Sequence, residues 1–184
     1  MDEQNHKIIP HNKNKHTDDL IDHYWGSINY ISSLIKASEI KAGLILSFYG
    51  ILLNFVYQSA EHVVTLAQNH LVVAIFCGLW LCLTVASIYY SIRCFIPRIE
   101  AKYDPNIFFF QDVISKYGGI KDFAKTFFEI SCDEEKVFEQ LGQQIFILSK
   151  IASDKFMNVN LSLRLLAVGL LLCVVVSALV LVLN

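Results

Sequence analysis

The chain has 184 residues, of which 54% are hydrophobic and 17% charged, and its formal net charge at pH 7 is −2. With a mean hydropathy of +0.46, it is too apolar for a soluble domain of this length. The slight acidic excess argues against nucleic acid as a partner, because nucleic-acid binding normally requires a basic surface. Five cysteines occur without a C-x-x-C pair, which excludes zinc-knuckle and thioredoxin-type motifs.

The N-terminal part of the chain is polar up to residue 17 and amphipathic beyond it. We interpret residues 1–17 as a disordered tail and residues 18–184 as a single membrane-spanning helical domain. Thr17, followed by two aspartates, is typical of a helix N-cap. Apolar residues then recur every three or four positions from Leu20 to Ile35, the period of an amphipathic helix. Since no proline interrupts this stretch, one helix of about 40 residues is predicted.

Three apolar stretches are long enough to cross a bilayer, whose hydrocarbon core of about 30 Å needs about 20 helical residues. The predicted spans cover about residues 42–60, 71–92 and 163–183, and a cytosolic helical segment is expected at about residues 97–160. All three spans must be helical, because lipid offers no hydrogen-bond partner to open backbone groups. The predicted fold class is therefore all-α: an integral membrane bundle of three transmembrane helices whose long helices extend into the cytosol.

The basic residues predict how this bundle is oriented. Of the 15 lysines and arginines, all lie before the first span, between the second and third spans or, for Arg164, at the start of the third. The connection between the first two spans contains none. Since cytosolic loops carry the excess of Lys and Arg, the N-terminus and the long loop are expected on the cytosolic side and the C-terminus outside.

The loop between the second and third spans contains two strong turn motifs. Asp104-Pro105 predicts a turn, and Gly118-Gly119 predicts a break between two short phenylalanine-rich helices. A last long helix is expected to begin at Ser131, which would form a capping box with Glu134. Beyond Ala152 this helix continues into the third span without glycine or proline before Gly169.

Motifs for catalysis are missing from the sequence, including H-E-x-x-H, G-x-S-x-G and the phosphate-binding loop. We therefore expect no enzyme activity, no metal and no cofactor. Lys41, Arg98 and Lys155 all flank predicted spans and could converge as an anion site suited to a single phosphate. Glu39 and Gln144 are candidates to contact other ligand atoms. The alternative is that the basic residues only anchor the spans at the interface and set their topology.

Two further groups of residues have both a structural and a functional interpretation. Aromatic residues such as Phe108, Phe109 and Tyr30 could stack on a base, although core packing is the commoner role of phenylalanine. Polar residues inside the spans could hold helices together or line a pore. These are Asn54, Thr84, Ser87 and Ser91.

Three blocks of sequence occur in a defined order relative to the spans. They are A-S-E-I-K-A-G-L-I-L-S-F-Y-G (37–50), Pro97-Arg98 with I-F-F-F-Q-D-V-I (107–114), and Q-I-F-I-L-S-K-I-A-S-D-K-F (144–156). In this order they resemble the transmembrane effectors of Pycsar systems, bacterial antiphage modules that signal with cyclic pyrimidine mononucleotides. The resemblance covers roughly residues 25–180. It departs from the family pattern at Glu39, where the family usually has Asp.

The resemblance implies that a companion cyclase makes cyclic UMP or cyclic CMP upon infection. This ligand would activate a homo-oligomer in the bacterial inner membrane, with a cytoplasmic N-terminus and a periplasmic C-terminus, and membrane disruption would kill the cell before the phage matures. Two alternatives stay open: an effector gated by a cyclic oligonucleotide, and a constitutive scaffold or small channel without a nucleotide ligand. A membrane-bound enzyme is the least supported class, because no nucleophile–base pair is visible.

Overall fold

The computed structural model describes the backbone of residues 11–96 and 104–183, and the side chains of residues 16–61, 63–96 and 104–180. These residues form helices and turns without a strand, which confirms the all-α fold class. The helices are α1 (His11–Gln58), α2 (Ala60–Asn69), α3 (Leu71–Phe95), α4 (Phe110–Ser115), α5 (Ile120–Ser131) and α6 (Glu134–Leu183).

Three of these helices are long and apolar enough to cross a membrane. They are the parts of α1, α3 and α6 at His16–Gln58, Leu71–Phe95 and Glu134–Val180. The prediction of three spans is thereby confirmed. Helix α2 lies in the connection between the first two of them. The sequence predicted the side of the membrane on which this connection lies, and it did not predict a helix there.

Helix α1 begins at His11 and is 48 residues long, whereas the sequence analysis placed its N-cap at Thr17. No glycine or proline stands between His11 and Thr17, so extending the helix by these residues meets no local barrier. The Thr17 hydroxyl donates a hydrogen bond to Oε1 of Glu134 at 2.7 Å and is not a helix cap. Residues 1–10 of the predicted disordered tail lie outside the described residues.

The chain divides into two compact units, and the first comprises Met1–Ser32 and Ala101–Ser149. Aromatic contacts join the helical segments of this unit. The ring of Trp25 lies 5.6 Å from that of Phe108, and Tyr24 lies 5.4 Å from Phe138. Phe127 adds a further edge contact to Phe108 at 6.3 Å. The N-terminal part of α1 is thus packed against the phenylalanine-rich segments and the start of α6.

Asn106 organises the turn that follows Asp104-Pro105. Its side-chain nitrogen donates to the carbonyl of Gln140 at 2.7 Å, and its Oδ1 accepts from the backbone of Phe108 at 2.9 Å. Its own backbone N–H donates to the Asp112 carboxylate at 3.1 Å. Asn106 is fully buried, and its paired polar groups avoid the cost of burying an unsatisfied amide. The turn predicted from Asp104-Pro105 is therefore fixed to α6 through Gln140.

The predicted break at Gly118-Gly119 is confirmed by the separation of α4 from α5. Gly118 has a φ of +72°, in the left-handed region that favours glycine. The N–H of Gly119 donates to the Asp122 carboxylate at 3.2 Å, which satisfies a free donor at the start of α5.

Helix α6 begins at Glu134, so the prediction of a Ser131 capping box is wrong. Ser131 is the last residue of α5, and the next N–H, that of Cys132, still bonds back to Phe128 at 3.0 Å. The cap is Asp133, whose Oδ1 accepts from the N–H of Lys136 at 3.4 Å. Glu134 does not close a box with Ser131, because Ser131 is still part of α5, and the Glu134 side chain accepts the hydrogen bond from Thr17.

The second unit comprises Ser33–Glu100 and Lys150–Asn184 and contains the apolar helical segments. Its core has two clusters, each with one or more residues from α1 and from α6. The first is Ala42, Cys94 and Val159, and the second is Ile45, Tyr49 and Leu166, with Leu52, Ile88 and Leu170 packed around it. Because α3 contributes Cys94 and Ile88, all three long apolar helices meet in this core.

Candidate functional site

Lys155 is the most deeply buried charged group that the structure describes in the second unit. The residue is only 6% exposed. Its Nζ donates to Oε1 of Glu39 at 2.8 Å and to the backbone carbonyl of Cys94 at 2.6 Å. A buried ammonium is tolerated only when its charge is paired and its protons are bonded, and both conditions hold for two of its three protons.

The partners of Lys155 come from different helices. Glu39 belongs to α1, Lys155 to α6, and Cys94 to the last turn of α3. Carbonyls in the last turn of a helix have no partner within the helix, and the dipole there favours a cation. The ammonium of Lys155 therefore serves two purposes: it caps the end of α3 and ties together all three long helices of the unit.

Lys41 lies beside this ion pair on α1. Its Nζ is 5.7 Å from the centroid of the Phe156 ring, within the range of a cation–π contact. The structure thus brings two predicted residues of α1, Glu39 and Lys41, onto the neighbouring α6 residues Lys155 and Phe156. Three of the five predicted ligand contacts are grouped in this way.

The two other predicted ligand contacts are not part of this group. Arg98 lies outside the described residues. Gln144 belongs to the first unit, where it is 7% exposed and its Oε1 has no hydrogen-bond partner among the described residues. A buried amide oxygen without a partner is costly, and it would accept a hydrogen bond from any donor that reached it.

A small cavity adjoins Lys155 in the second unit. It is lined by Arg93, Asp154, Asn158 and Lys155 together with Ile96 and Ile151, and its volume is about 10 Å³. That is about the space of one water molecule, so a nucleotide does not fit in this conformation. Arg93 is not among the predicted site residues; a basic residue in the last turn of a helix, where carbonyls lack partners within the helix, is the signal that could have indicated it.

The aromatic candidates for base stacking belong to the first unit, and the two phenylalanines among them have structural roles. Phe108 contacts Trp25 and Phe127, and Phe109 is buried. Tyr30 is exposed. The packing alternative therefore applies to both phenylalanines.

The polar residues of the spans differ in their surroundings. Ser87 and Ser91 of α3 both hydrogen-bond to Ser162 of α6, at 3.0 Å and 2.7 Å between hydroxyl oxygens. This confirms that they hold helices together. Thr84 is also buried, whereas Asn54 is exposed on the side of α1. Over the residues whose side chains are described, no group of three or more His, Cys, Asp or Glu is placed to hold a metal ion.

Comparison with known proteins adds a family to this geometry. The family model PycTM, described as the Pycsar effector protein domain, matches residues 23–182. No curated protein and no solved structure matches the chain. The matched region contains the second and third spanning helices, the first from residue 23 onwards, and the Lys155 ion pair. Since the match extends over more than half of the sequence, this chain belongs to the Pycsar effector family and is a membrane effector of antiphage defence.

Proposed function

We propose that a cyclic pyrimidine mononucleotide, cyclic UMP or cyclic CMP, activates this protein to oligomerise and disrupt the bacterial inner membrane. Death of the infected cell then stops phage production. Family membership supports the defence role, and three spanning helices support action on the bilayer. The observation that carries the mechanism is the Lys155 tie, because a single side chain joins α1, α3 and α6.

The phosphate of the ligand is the group that would act on this tie. We propose that Lys41, Lys155 and Arg98 supply its positive partners, and that Glu39 contacts the ribose or base. A phosphate approaching Lys155 competes with the Glu39 carboxylate for the same ammonium protons. That Gln144 hydrogen-bonds to the base or ribose stays a prediction; its Oε1 has no hydrogen-bond partner among the described residues.

Binding in this way requires the helices to move. The cavity beside Lys155 has room for about one water molecule, so the ligand favours a conformation in which α1, α3 and α6 are farther apart. A ligand shifts such an equilibrium only by its differential affinity for the two conformations. A contact between the ligand phosphate and Lys155 provides that difference, because Glu39 occupies the ammonium in the tied conformation.

Oligomerisation follows from the small number of spans. Three helices are too few to enclose a water-filled path, so several copies must contribute to it. The distribution of the positive residues supports a cytoplasmic N-terminus and a periplasmic C-terminus. The ion pair then lies near the cytosolic ends of the spans, where a cytosolic second messenger is available.

The first experiment is thermal unfolding of the protein in nanodiscs with a panel of cyclic nucleotides. The panel contains cyclic UMP, CMP, AMP and GMP and cyclic dinucleotides. A ligand that binds only the folded protein stabilises it by about 2.7 kcal/mol at a hundredfold excess over Kd. We expect this stabilisation from one cyclic pyrimidine, its loss in Lys41→Ala and Lys155→Met, and its retention in Lys121→Ala, an exposed lysine of α5.

Leakage of dye from liposomes and the mass of the assembly test the later steps. We expect the active ligand to raise both leakage and oligomer size in the same concentration range. Stabilisation by a cyclic dinucleotide alone would identify the cyclic-oligonucleotide alternative. A protein that stays monomeric in tight liposomes at saturating ligand would contradict the proposed mechanism, and a flat panel at millimolar ligand would contradict nucleotide activation.

A further inference from the structure

Four hydroxyl side chains form a buried seam inside the membrane-spanning part of the second unit. Thr84, Ser87 and Ser91 follow one another on α3 at spacings of three and four, which places them on one helix face. Ser162 faces them from α6. All four residues are buried, with exposures of 2% for Thr84 and 0% for the three serines.

The three serines of this seam satisfy one another. The Ser87 hydroxyl donates to the carbonyl of Ser162 at 2.8 Å, and the Ser162 hydroxyl can donate in turn to the carbonyl of Ser87, also at 2.8 Å. The Ser91 and Ser162 hydroxyl oxygens are 2.7 Å apart. Interhelical bonds of this kind hold membrane helices together, and in this conformation the hydroxyl groups of all three serines are paired.

Thr84 is not accounted for in this way. Its Oγ1 is buried and has no hydrogen-bond partner among the described residues. A hydroxyl in a helix normally bonds to the carbonyl four residues back, as Ser47 does to Gly43 and Ser177 to Cys173. Valine has nearly the same shape and would fill the position without burying an unsatisfied hydroxyl. The Thr84 hydroxyl is therefore a cost in this conformation, and it indicates another conformation in which it has a partner.

Water is the partner that fits this position. We propose that the seam of Thr84, Ser87, Ser91 and Ser162 binds water when the protein is activated and then lines the path through which the membrane is permeabilised. The proposal rests on the proposed function. It specifies which face of the spans meets water and small hydrated ions.

The energetics favour this face over the others. When α3 and α6 separate, each serine exchanges a hydrogen bond to protein for one to water, and Thr84 gains a bond it lacks. The remaining faces of α3 and of the membrane-spanning part of α6 are predominantly apolar, and exposing them to water is strongly unfavourable. The seam is thus the surface of these helices that is hydrated at the lowest cost.

The seam also ends at the candidate ligand site. Cys94 follows Ser91 by three residues on α3 and is fully buried, and its carbonyl accepts the hydrogen bond from Lys155. The Lys155 tie consequently closes one end of the seam. A ligand that draws Lys155 away from Cys94 removes the contact that holds α3 and α6 together at this end, and further copies of the chain complete the wall of the path.

Thr84→Val separates this proposal from a purely structural role for the seam. The variant removes the unpaired hydroxyl and preserves the shape of the side chain. We expect at least fivefold slower ligand-triggered leakage from liposomes, with unchanged ligand affinity and unchanged or higher thermal stability. Ser177→Ala, which removes an exposed hydroxyl of α6 bonded to its own helix, is the matched control and should leak like the native protein.

Native cysteines provide a second readout that needs no substitution. Cys94 continues the seam and is buried, whereas Cys132 is exposed. A charged, water-soluble thiol reagent should modify Cys132 with and without ligand. The rate at which it modifies Cys94 should rise at least tenfold when ligand is added, as measured by peptide mass spectrometry.

The outcomes distinguish failure of the inference from failure of the proposed function. Two results together would overturn the proposed role of the seam: Thr84→Val leaks as fast as the native protein, and Cys94 stays protected from the reagent while the liposomes leak. They would leave nucleotide-activated permeabilisation intact. Absence of ligand-triggered leakage in the native protein would overturn both.

Discussion

Lys155 shows how one buried charge is maintained in an apolar unit. Its side chain is 8% exposed, whereas that of Glu39 is 38% exposed, so the two partners are unequally desolvated. Removing the carboxylate leaves an ammonium in the interior with a single carbonyl acceptor. Removing the ammonium leaves a carboxylate that still reaches solvent. The two halves of the ion pair should therefore respond differently to substitution.

We expect Glu39→Gln to lower the free energy of unfolding by about 1–3 kcal/mol, less than the loss on breaking a fully buried pair, because Glu39 is partly solvated. Lys155→Met should cost less, since methionine fills the apolar space without a charge. Denaturation in detergent measures both. In the same assay Lys125→Met, which breaks the exposed pair with Glu129, should change stability by no more than about 0.5 kcal/mol. Equal losses in all three variants would contradict the assignment of Lys155 as a structural tie.

The ion pair also marks a limit of prediction from the sequence at the residue scale. Glu39, Lys41 and Lys155 were selected because they flank predicted spans. Their grouping required two helices to align in one register, since Glu39 and Lys155 are 116 residues apart. The sequence therefore indicated which charged residues lie near the ends of the spans. It could not indicate that the Lys155 ammonium donates hydrogen bonds to Glu39 and to the carbonyl of Cys94.

At the scale of the helix, prediction succeeded where the local sequence decides and failed where a distant contact does. The break at Gly118 follows from a conformation that only glycine adopts readily. The start of α6 is different, because Ser131 and Asp133 are both good caps and stand close together. Glu134 was expected to pair with Ser131 and instead bonds to Thr17, 117 residues away.

The Asp133 cap leads to a pH-dependent prediction. Hydrogen bonds from Lys136 hold the pKa of Asp133 below its ordinary value of 3.8. A carboxyl whose pKa is lowered on folding stabilises the folded state above its unfolded pKa, and this stabilisation is lost as the pH falls through the folded value. Asp133→Ala should therefore destabilise the first turn of α6 at pH 7 and have progressively less effect below pH 3.8.

Hydrogen exchange of the amides at the start of α6 measures the effect of this substitution directly. Lys136 is the amide to follow, because its N–H bonds to the cap. Ser131→Ala is the control, since Ser131 belongs to α5 and its substitution should leave these amides protected. Faster exchange in Ser131→Ala than in Asp133→Ala would contradict the Asp133 cap and support the capping box of Ser131 and Glu134.

At the scale of the whole molecule, length and apolar composition were sufficient to predict three spans, and the described residues contain three helices long and apolar enough to cross a membrane. Composition alone could do this because a bilayer imposes one requirement, about 20 apolar helical residues, wherever a chain crosses it. The short helix α2 between two spans was missed, since that requirement does not extend to the connections. The direction of insertion is set by charge, and it is the remaining prediction for the molecule as a whole.

Moving positive charge into the connection between the first two spans tests this orientation. In the native sequence, residues 58–70 contain no Lys or Arg. A reporter active only in the periplasm and fused after Asn184 should be active, and one fused before Met1 should be silent. Gln58→Lys with Gln68→Lys should reduce the periplasmic signal severalfold, because added lysines oppose export of the connection. Gln58→Glu with Gln68→Glu is the matched control and should retain the signal, since acidic residues contribute little to orientation. A strong signal from the N-terminal fusion of the native protein would show that the topology is the reverse of the predicted one. The Lys155 ion pair would then lie at the periplasmic ends of the spans, out of reach of a cytosolic nucleotide.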